Sequence, residues 1–481
     1  MYHLVIFASP SNQSLQHQSI SDEYGYGIDA RTLGPSMVKH VLEKVGFRVQ
    51  IINFVHRADE HTLDEIFKKY VTSDTVVGIS TTFLLSTYGV NDTLFNKVLL
   101  KKRNQIGFKV LLGGTAPNTS SHLYKPDYVI SGYAENKVID LFNSIFNKGI
   151  SRKVYNWNIN TCDHKWSHND FIQPGETLPL ENNRGCIFKC KFCRFELTGK
   201  KKGEYLRNMD LIREELVDNY NNHGITNYSL TDDTFNDDLY KLGLWNDMIS
   251  SLPFKIRYAS YARIDLFHRF PQSARDVYDT GLRGAMFGVE SFDPRAAKAI
   301  GKAWSAKHAK EFIPAIYNDI FKKDFFMQIN FIIGLPYETE DSINNTMAWL
   351  EENRHNYHRA QLFPLGINPH GTEHKTTTSE FDREYQKYGY EFPHINSEDG
   401  WLRSFWVSPT MDSRRAFKIA HAWFEKHRDQ NKSGVWEAFT YLNFTSYDQL
   451  LEKSEQQIID DPEFRFKKNQ FYKNYFMDVL K

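Results

Sequence analysis

The stretch from 184 to 193, RGCIFKCKFC, holds three of the four cysteines in a chain of 481 residues. Cys186, Cys190 and Cys193 follow a C-x3-C-x2-C spacing, with basic and aromatic residues between them. On a loop, that spacing lets three thiolates converge on one metal centre. Thiolates suit zinc or an iron–sulfur cluster. Three protein ligands leave one coordination position open, as in a reactive centre and unlike a closed structural site. The spacing alone leaves both metals open. Cys162, in NTCDHKW, lies at an irregular separation and reads better as a buried free thiol than as a fourth ligand. Such a pattern is not a disulfide framework, and it suits a reducing cytoplasm.

Outward from the cluster, apolar strands alternate with amphipathic helices on both sides. Before it, YHLVIFAS (2–9), VQIINF (49–54), TVVGIS (75–80), FKVLLGG (108–114) and YVISG (128–132) read as strands. GPSMVKHVLEKVGF, TLDEIFKKYV, FNKVLLKKRNQ and ENKVIDLFNSIF read as the helices between and after them. Buried strands separated by helices predict an α/β fold with a doubly wound parallel sheet over residues 1–150. Ligands on such sheets bind outside the carboxyl ends of the strands, here GISTTF, GGTAPN and SGYAEN. Residues 151–178 are polar, carry scattered Trp and read as a linker. After the cluster, NYSLTDDTF, KIRYASYARID, GAMFGVES, FFMQINFIIGLP and RAQLFPLGI are strand-like. With one more strand near the cluster they predict a partial (β/α)6 barrel over residues 179–370. Residues 371–481 read as a small, mainly helical, aromatic region.

The 59 basic and 59 acidic residues cancel, which gives no bulk electrostatic reason to expect nucleic acid or an anionic membrane as partner. No stretch approaches the roughly 20 apolar residues of a membrane span. The amino terminus, MYHLVIFASPSNQ, reads as a first buried strand and not a signal peptide. A soluble, cytoplasmic protein is the expectation.

The cysteine motif, with Phe192 just before the last cysteine, resembles the signature of radical S-adenosylmethionine (SAM) enzymes. The resemblance implies a [4Fe–4S] cluster on the three cysteines. Its open iron would chelate SAM and pass it one electron, yielding methionine and a 5′-deoxyadenosyl radical. Further motifs follow in the family's order. YSLTDDTF, with Asp232 and Asp233, resembles the second-strand motif that reaches the SAM amino group. Arg263 stands where relatives often carry an Arg near SAM, and GVES makes Glu290 a candidate for the ribose hydroxyls. FIIGLPYET resembles the fifth-strand glycine motif near the adenine, which nominates Gly334 and Pro336. PHGT (369–372) resembles a turn after the sixth strand, and Phe192 offers a ring face to the adenine.

Residues 1–150 resemble the cobalamin-binding domain fused to one large subgroup of that family, a Rossmann-like unit. The resemblance implies corrin contacts at Ser80, Thr81, Thr82, Gly113, Gly114 and Glu135, where small residues let a flat macrocycle lie against backbone. The chain lacks a D-x-H-x-x-G motif for a cobalt-ligating histidine, and SGYAEN keeps only the second acid of the usual GEGE turn. His17 and His56 lie in this domain and are its candidate cobalt ligands.

The resemblance implies a cobalamin-dependent methyltransferase acting on an unactivated carbon of an unknown substrate, fed by an electron donor such as a flavodoxin or ferredoxin. Ring closure or rearrangement on the same two domains is the alternative, as is a radical SAM enzyme that has lost cobalamin. A zinc-binding module ranks last. A nucleic-acid-modifying enzyme is motivated by TGKKKGEYLR, although three lysines are more often a solvated loop. Methylthiotransfer needs cysteines for a second cluster, and residues 1–150 contain none. Trp401, Trp406 and Trp423 are candidates to close the cavity or grip substrate, weighed against a plain core role.

Overall fold

A computed structural model describes residues 1–9, 30–81, 94–114, 124–150, 155–302, 304–321, 324–367, 378–393, 405–427 and 435–481. Two parallel sheets organise them. The first has the order β2-β1-β3-β4-β5, from β1 (Leu4–Phe7), β2 (Val49–Ile52), β3 (Val76–Ser80), β4 (Lys109–Gly114) and β5 (Tyr128–Ser131). Every residue of β1 is buried, and the strand period divides them between two cores. Val5 and Phe7 pack with Phe67, Leu99 and Phe108 on one face, and Leu4 and Ile6 with Val41, Phe47 and Phe142 on the other. That is the doubly wound arrangement expected from the unbroken apolar strands.

The second sheet runs in sequence order through β6 (Thr177–Leu180), β7 (Asn227–Leu230), β8 (Arg257–Ala262), β9 (Leu282–Glu290), β10 (Phe326–Ile333) and β11 (Arg359–Pro364), all parallel. Six parallel strands with intervening helices give the expected partial barrel. Tyr258, Phe287, Ile329, Phe331 and Leu362 turn outward into one large core with the helices. The inner face is stoppered at the amino ends of the strands by the helix Val435–Tyr441, whose Val435, Ala438 and Phe439 pack with Ala259 and Phe326. A Cβ on Gly284 would lie 2.7 Å from Val435 and from Phe439, so the stopper needs glycine there. The opposite, carboxyl end of the barrel is left for chemistry.

The carboxy-terminal region has other structural duties than the cavity role considered from sequence. Trp406 donates its indole N–H to Leu365 O (2.8 Å), and Trp423 donates to Ala360 O (2.9 Å). The Trp423 bond satisfies a carbonyl of edge strand β11, a position otherwise open to pairing with another chain. Both tryptophans are core residues; Trp401 lies outside the described residues. The final helix, Pro462–Leu480, returns to the first sheet, where Tyr472, Tyr475, Phe476 and Val479 complete one of its cores.

The stretch read as a linker is packed. Cys162, His164, Trp166, Asp170 and Gln173 are buried, and β6 begins at Thr177, just inside the boundary expected at 178. Arg31 reaches over from the first sheet. It pairs with Glu176 (2.5 Å) and donates to Asp170 O (2.6 Å) and Phe171 O (2.8 Å), with both side chains of the pair fully buried. Among the described residues no helix is long and apolar enough to cross a membrane.

Removing one partner of a buried ion pair strands the other. Arg31→Met is expected to lower unfolding free energy by about 3–5 kcal/mol, read from urea titrations; an unchanged midpoint would show that the pair does not tie the halves together.

Candidate functional site

The cysteine loop is held from three sides. Gly185 adopts φ +76°, and a Cβ there would lie 2.4 Å from Leu197 O. Cys186 donates its N–H to Leu197 O (2.9 Å) and its carbonyl accepts from Gly199 N (2.8 Å), which folds the loop back on itself. Ile187 N donates to Asp237 Oδ2 (3.1 Å) and Lys191 N to Ile300 O (3.1 Å), anchoring the loop to the barrel. Cys186 is buried, while Cys190 and Cys193 are partly exposed. Burial pushes the Cys186 thiol up and the Cys193 thiol to about 11. Among the described residues no group of three or more His, Cys, Asp or Glu side chains is gathered to hold a single metal ion. Cys162 is buried in the barrel's outer core.

Arg263, at the end of β8, is fixed on every side. Its backbone exchanges two hydrogen bonds with the Asn236 amide (2.8 Å each), and Asp265 takes its guanidinium at 3.1 and 2.7 Å. The guanidinium stacks 3.9 Å from the Phe188 ring centroid and donates Nη1 to Cys190 Sγ at 3.5 Å. The structure thus places it on a cysteine sulfur, a more specific position than nearness to SAM.

The two acids after β7 behave differently. Asp232 accepts from Asn182 N (3.0 Å) and Asn183 N (3.2 Å), with Lys241 Nζ at 3.8 Å. Asp233 Oδ2 is buried with no hydrogen-bond partner. Burial, then the charge of Asp232, pushes the Asp233 carboxyl up to about 7. Burial raises Asp232 to about 6, opposed mainly by Lys241. A buried carboxylate oxygen without a donor is a place for a cationic ligand group.

Glu290 ends β9 with φ +71°, a costly conformation for a side-chain-bearing residue and one that collects at functional sites. Its carboxylate accepts from Lys302 Nζ (3.1 Å). Gly334 follows β10 at φ +89°, where a Cβ would sit 2.5 Å from Trp406. Pro336 is buried in the same turn, and Phe192 packs half-buried against the barrel core. PHGT falls within residues 368–377, outside those described.

Sequence reading missed three residues here. Lys241 binds Asn183 Oδ1 (2.7 Å), Thr234 O (3.0 Å) and Asp237 Oδ1 (2.6 Å), which couples the acid strand to the cysteine loop. The four-residue spacing of Asp237 and Lys241 was the available signal. Glu338, the acid of GLPYET, accepts from Gly334 N (2.9 Å), Leu335 N (3.3 Å) and Ser291 Oγ (2.7 Å), and burial lifts its carboxyl to about 7. It staples the ends of β9 and β10. Lys302, the partner of Glu290, carried no motif.

The first sheet presents its carboxyl edge to this loop. Arg184 pairs with Glu135 (2.5 Å) and Glu181 (2.7 Å) and lies over the rings of Tyr133 (4.4 Å) and Trp157 (4.5 Å). An added Cβ on Gly132 would meet Glu196 at 2.3 Å. Glu135 is therefore committed to an ion pair across the sheets. Ser80 is buried at the end of β3, and Thr81 is tied through N (2.7 Å) and Oγ1 (3.0 Å) to Gly113 O. Gly113 and Gly114 close β4, the latter at φ +124°; Thr82 lies outside the described residues. His56 shares a 2.7 Å hydrogen bond with Ser9 Oγ, and His17 is outside the described residues. Of the lysine run, Lys200 donates to Arg184 O (2.8 Å), and Lys201 and Lys202 are exposed.

Residues 183–350 match the model of the Radical SAM superfamily. No curated protein matches the sequence. Among solved structures, the chain is similar to TsrM from Kitasatospora setae, a radical SAM methyltransferase with cobalamin and a [4Fe–4S] cluster bound. Identity is 13% and the TM-score 0.63, over 98% of this chain and 100% of that one. It is also similar to OxsB, a cobalamin-dependent SAM radical enzyme with aqua-cobalamin and SAM bound, at 12% identity and TM-score 0.61 over 98% of this chain and 75% of that one. At these identities the likeness concerns the fold.

The Asp233 carboxyl has a folded pKa above its unfolded value of about 3.9. The stability contributed by its retained proton is full below the unfolded pKa and is lost as pH rises through about 7. Asp233→Asn in the ligand-free protein is expected to flatten the fall in urea midpoint between those limits; a slope equal to wild type would refute the shift.

Proposed function

We propose, from the premise that residues 183–350 are a radical SAM domain, that the chain is a cobalamin-dependent radical SAM methyltransferase acting on an unactivated carbon. The observation that carries this reading is the apposition of two parallel-sheet carboxyl edges across Arg184–Glu135, with the three-cysteine loop between them. Bound, a [4Fe–4S] cluster and SAM supply the electron and the radical precursor, and cobalamin supplies a carrier for the methyl group.

Cys186, Cys190 and Cys193 would hold the cluster, and the donor set fits. The loop offers three thiols, and Arg263 donates a hydrogen bond to the Cys190 sulfur. The orphaned oxygen of Asp233 fits the ammonium of SAM, and Asp232, already held by two backbone N–H groups, would support it. Glu290 would take the ribose hydroxyls, with Lys302 fixing its carboxylate. The turn at Gly334–Pro336, stapled by Glu338, would flank the adenine with Phe192. In the first sheet, which we take as the corrin-binding unit, Ser80, Thr81, Gly113 and Gly114 form an edge of small residues, and Thr82 would continue it. Glu135 would act there by fixing the angle between the sheets. The chain needs a one-electron donor, for which a flavodoxin or ferredoxin is suited.

Anaerobic reconstitution with iron and sulfide, then SAM and reductant, is expected to release 5′-deoxyadenosine. Cys190→Ala is expected to lose both the cluster absorbance and the cleavage, and cleavage retained by that variant would overturn the ligand assignment. SAM affinity, measured calorimetrically on the reconstituted protein, is expected to rise as pH passes upward through about 7, because the Asp233 proton must leave before an ammonium is paired. Asp233→Asn should abolish that dependence. Hydroxocobalamin retained on gel filtration tests the first sheet.

A further inference from the structure

The barrel interior carries a relay of side-chain amides that the proposed chemistry does not use. Along β10, Met327, Ile329, Phe331 and Ile333 join the outer core, so Gln328, Asn330 and Ile332 face inward. The relay starts at a donor whose polarity is fixed. Val435 N, in the helix that stoppers the barrel, donates to Gln328 Oε1 (3.2 Å). The Gln328 oxygen is thereby oriented downward and its NH2 upward, a direction set by a backbone N–H and not by an arbitrary amide flip. Gln328 Nε2 then donates to Asn330 Oδ1 (2.9 Å) and, at the longer distance of 3.4 Å, to Gln361 Oε1. Both acceptors spend their oxygens on the same amide. Asn330 Nδ2 and Gln361 Nε2 are left as donors without a partner among the described residues, and Asn330 is 8% exposed.

The surroundings select what such donors meet. Asn330 pairs in register with Gly288, whose missing side chain makes room for the Glu290 carboxylate: a Cβ there would lie 2.2 Å from Glu290 Oε1 and 3.0 Å from Lys302 Nζ. On the inner faces of β8 to β11 the next neighbours are Tyr261, Met286, Ile332 and Phe363, with Tyr261 at 37% and Phe363 at 41% exposure. The Glu290 and Lys302 charges neutralise each other, with Lys302 Nζ 3.1 Å from Glu290 Oε1. Two neutral N–H donors beside an ion pair already in balance repay the desolvation of a carbonyl, an amide or a ring nitrogen; a carboxylate would add a second negative charge near Glu290 with no cation left to balance it.

We propose that Asn330, assisted by Gln361, is a specificity-determining residue that reads an uncharged hydrogen-bond acceptor on a substrate with an apolar or aromatic body. This rests on the radical SAM reading for the word substrate, but the binding itself needs neither cluster nor cobalamin.

The test uses the full chain as purified, with phenylacetamide and its near-isosteric carboxylate phenylacetate as probes in saturation-transfer NMR. Phenylacetamide is expected to bind the more tightly. Asn330→Leu and Asn330→Asp are each expected to weaken it about tenfold, the scale of one hydrogen bond, with thermal transitions confirming that at least one variant is folded. Asn330→Asp keeps the shape and removes the donors, so it serves where the leucine variant does not fold. Equal binding of the two probes, no binding of either, or undiminished phenylacetamide binding in a folded variant would overturn the proposal. A failure to cleave SAM would instead count against the cofactor reading and leave this result standing.

Discussion

The contact on which the rest depends is the Arg184 guanidinium. It sits two residues before the first cysteine of the loop, pairs with Glu181 just past the end of β6 and reaches Glu135 at the head of the helix following β5. Tyr133 and Trp157 cover its faces. A buried guanidinium with two carboxylates and two rings has most of its hydrogen-bonding capacity used in place, and breaking any one partner leaves charge uncompensated. Burial alone would lower its pKa, but the two carboxylates override this and hold it raised. Two sheets that could in principle rotate against each other are thereby locked at the point where the cysteine loop begins. The Arg31–Glu176 pair does the same at the amino end of β6. Together they make the stretch between the sheets a rigid adaptor.

Within the barrel mouth, the acids divide by the donors they meet. Burial would raise the Asp265 carboxyl, but Arg263 holds it lowered, a fixed anion beside the cysteine loop. Asp233 and Glu338 are pushed up, Glu338 with three donors that hold the ends of two strands, Asp233 with an oxygen that has none. The same residue type thus serves as charge clamp, staple and vacant acceptor, and only the third asks for a ligand. Lys241 ties the acid strand to the cysteine loop, since its bonds reach Thr234 O, Asp237 and Asn183, the residue preceding Arg184.

Much of this was legible because strands and cysteine spacing are local signals. The apolar runs of β1 to β5 and the order of motifs through β7 to β10 gave both sheets, since buried parallel strands write themselves as continuous hydrophobic stretches. Asp233 and Glu290 were legible through their strand-end position. Contacts of long sequence separation were not. Nothing in SGYAEN says that its glutamate will pair with an arginine many residues later, and the polar, Trp-dotted segment from 155 to 176 resembled a linker because its burial depends on partners contributed by both sheets. The final helix, rich in Phe and Tyr, was aromatic for a sheet core it meets only in three dimensions.

The position of that returning chain explains a feature of the barrel that motif reading would treat as incidental. A six-stranded open barrel has an edge at β11 and a hole at its amino end, and each is a liability unless covered. Trp423 satisfies the edge, while Val435–Tyr441 fills the hole. The filling helix also gives the interior a direction, because the backbone N–H of Val435 fixes Gln328, and Gln328 fixes Asn330. Closing one end of the barrel therefore decides which hydrogen-bonding group faces the other. Polarity set by a backbone amide at the sealed end is carried through two side chains toward the end where the cysteine loop lies, so the stopper shapes recognition as well as stability.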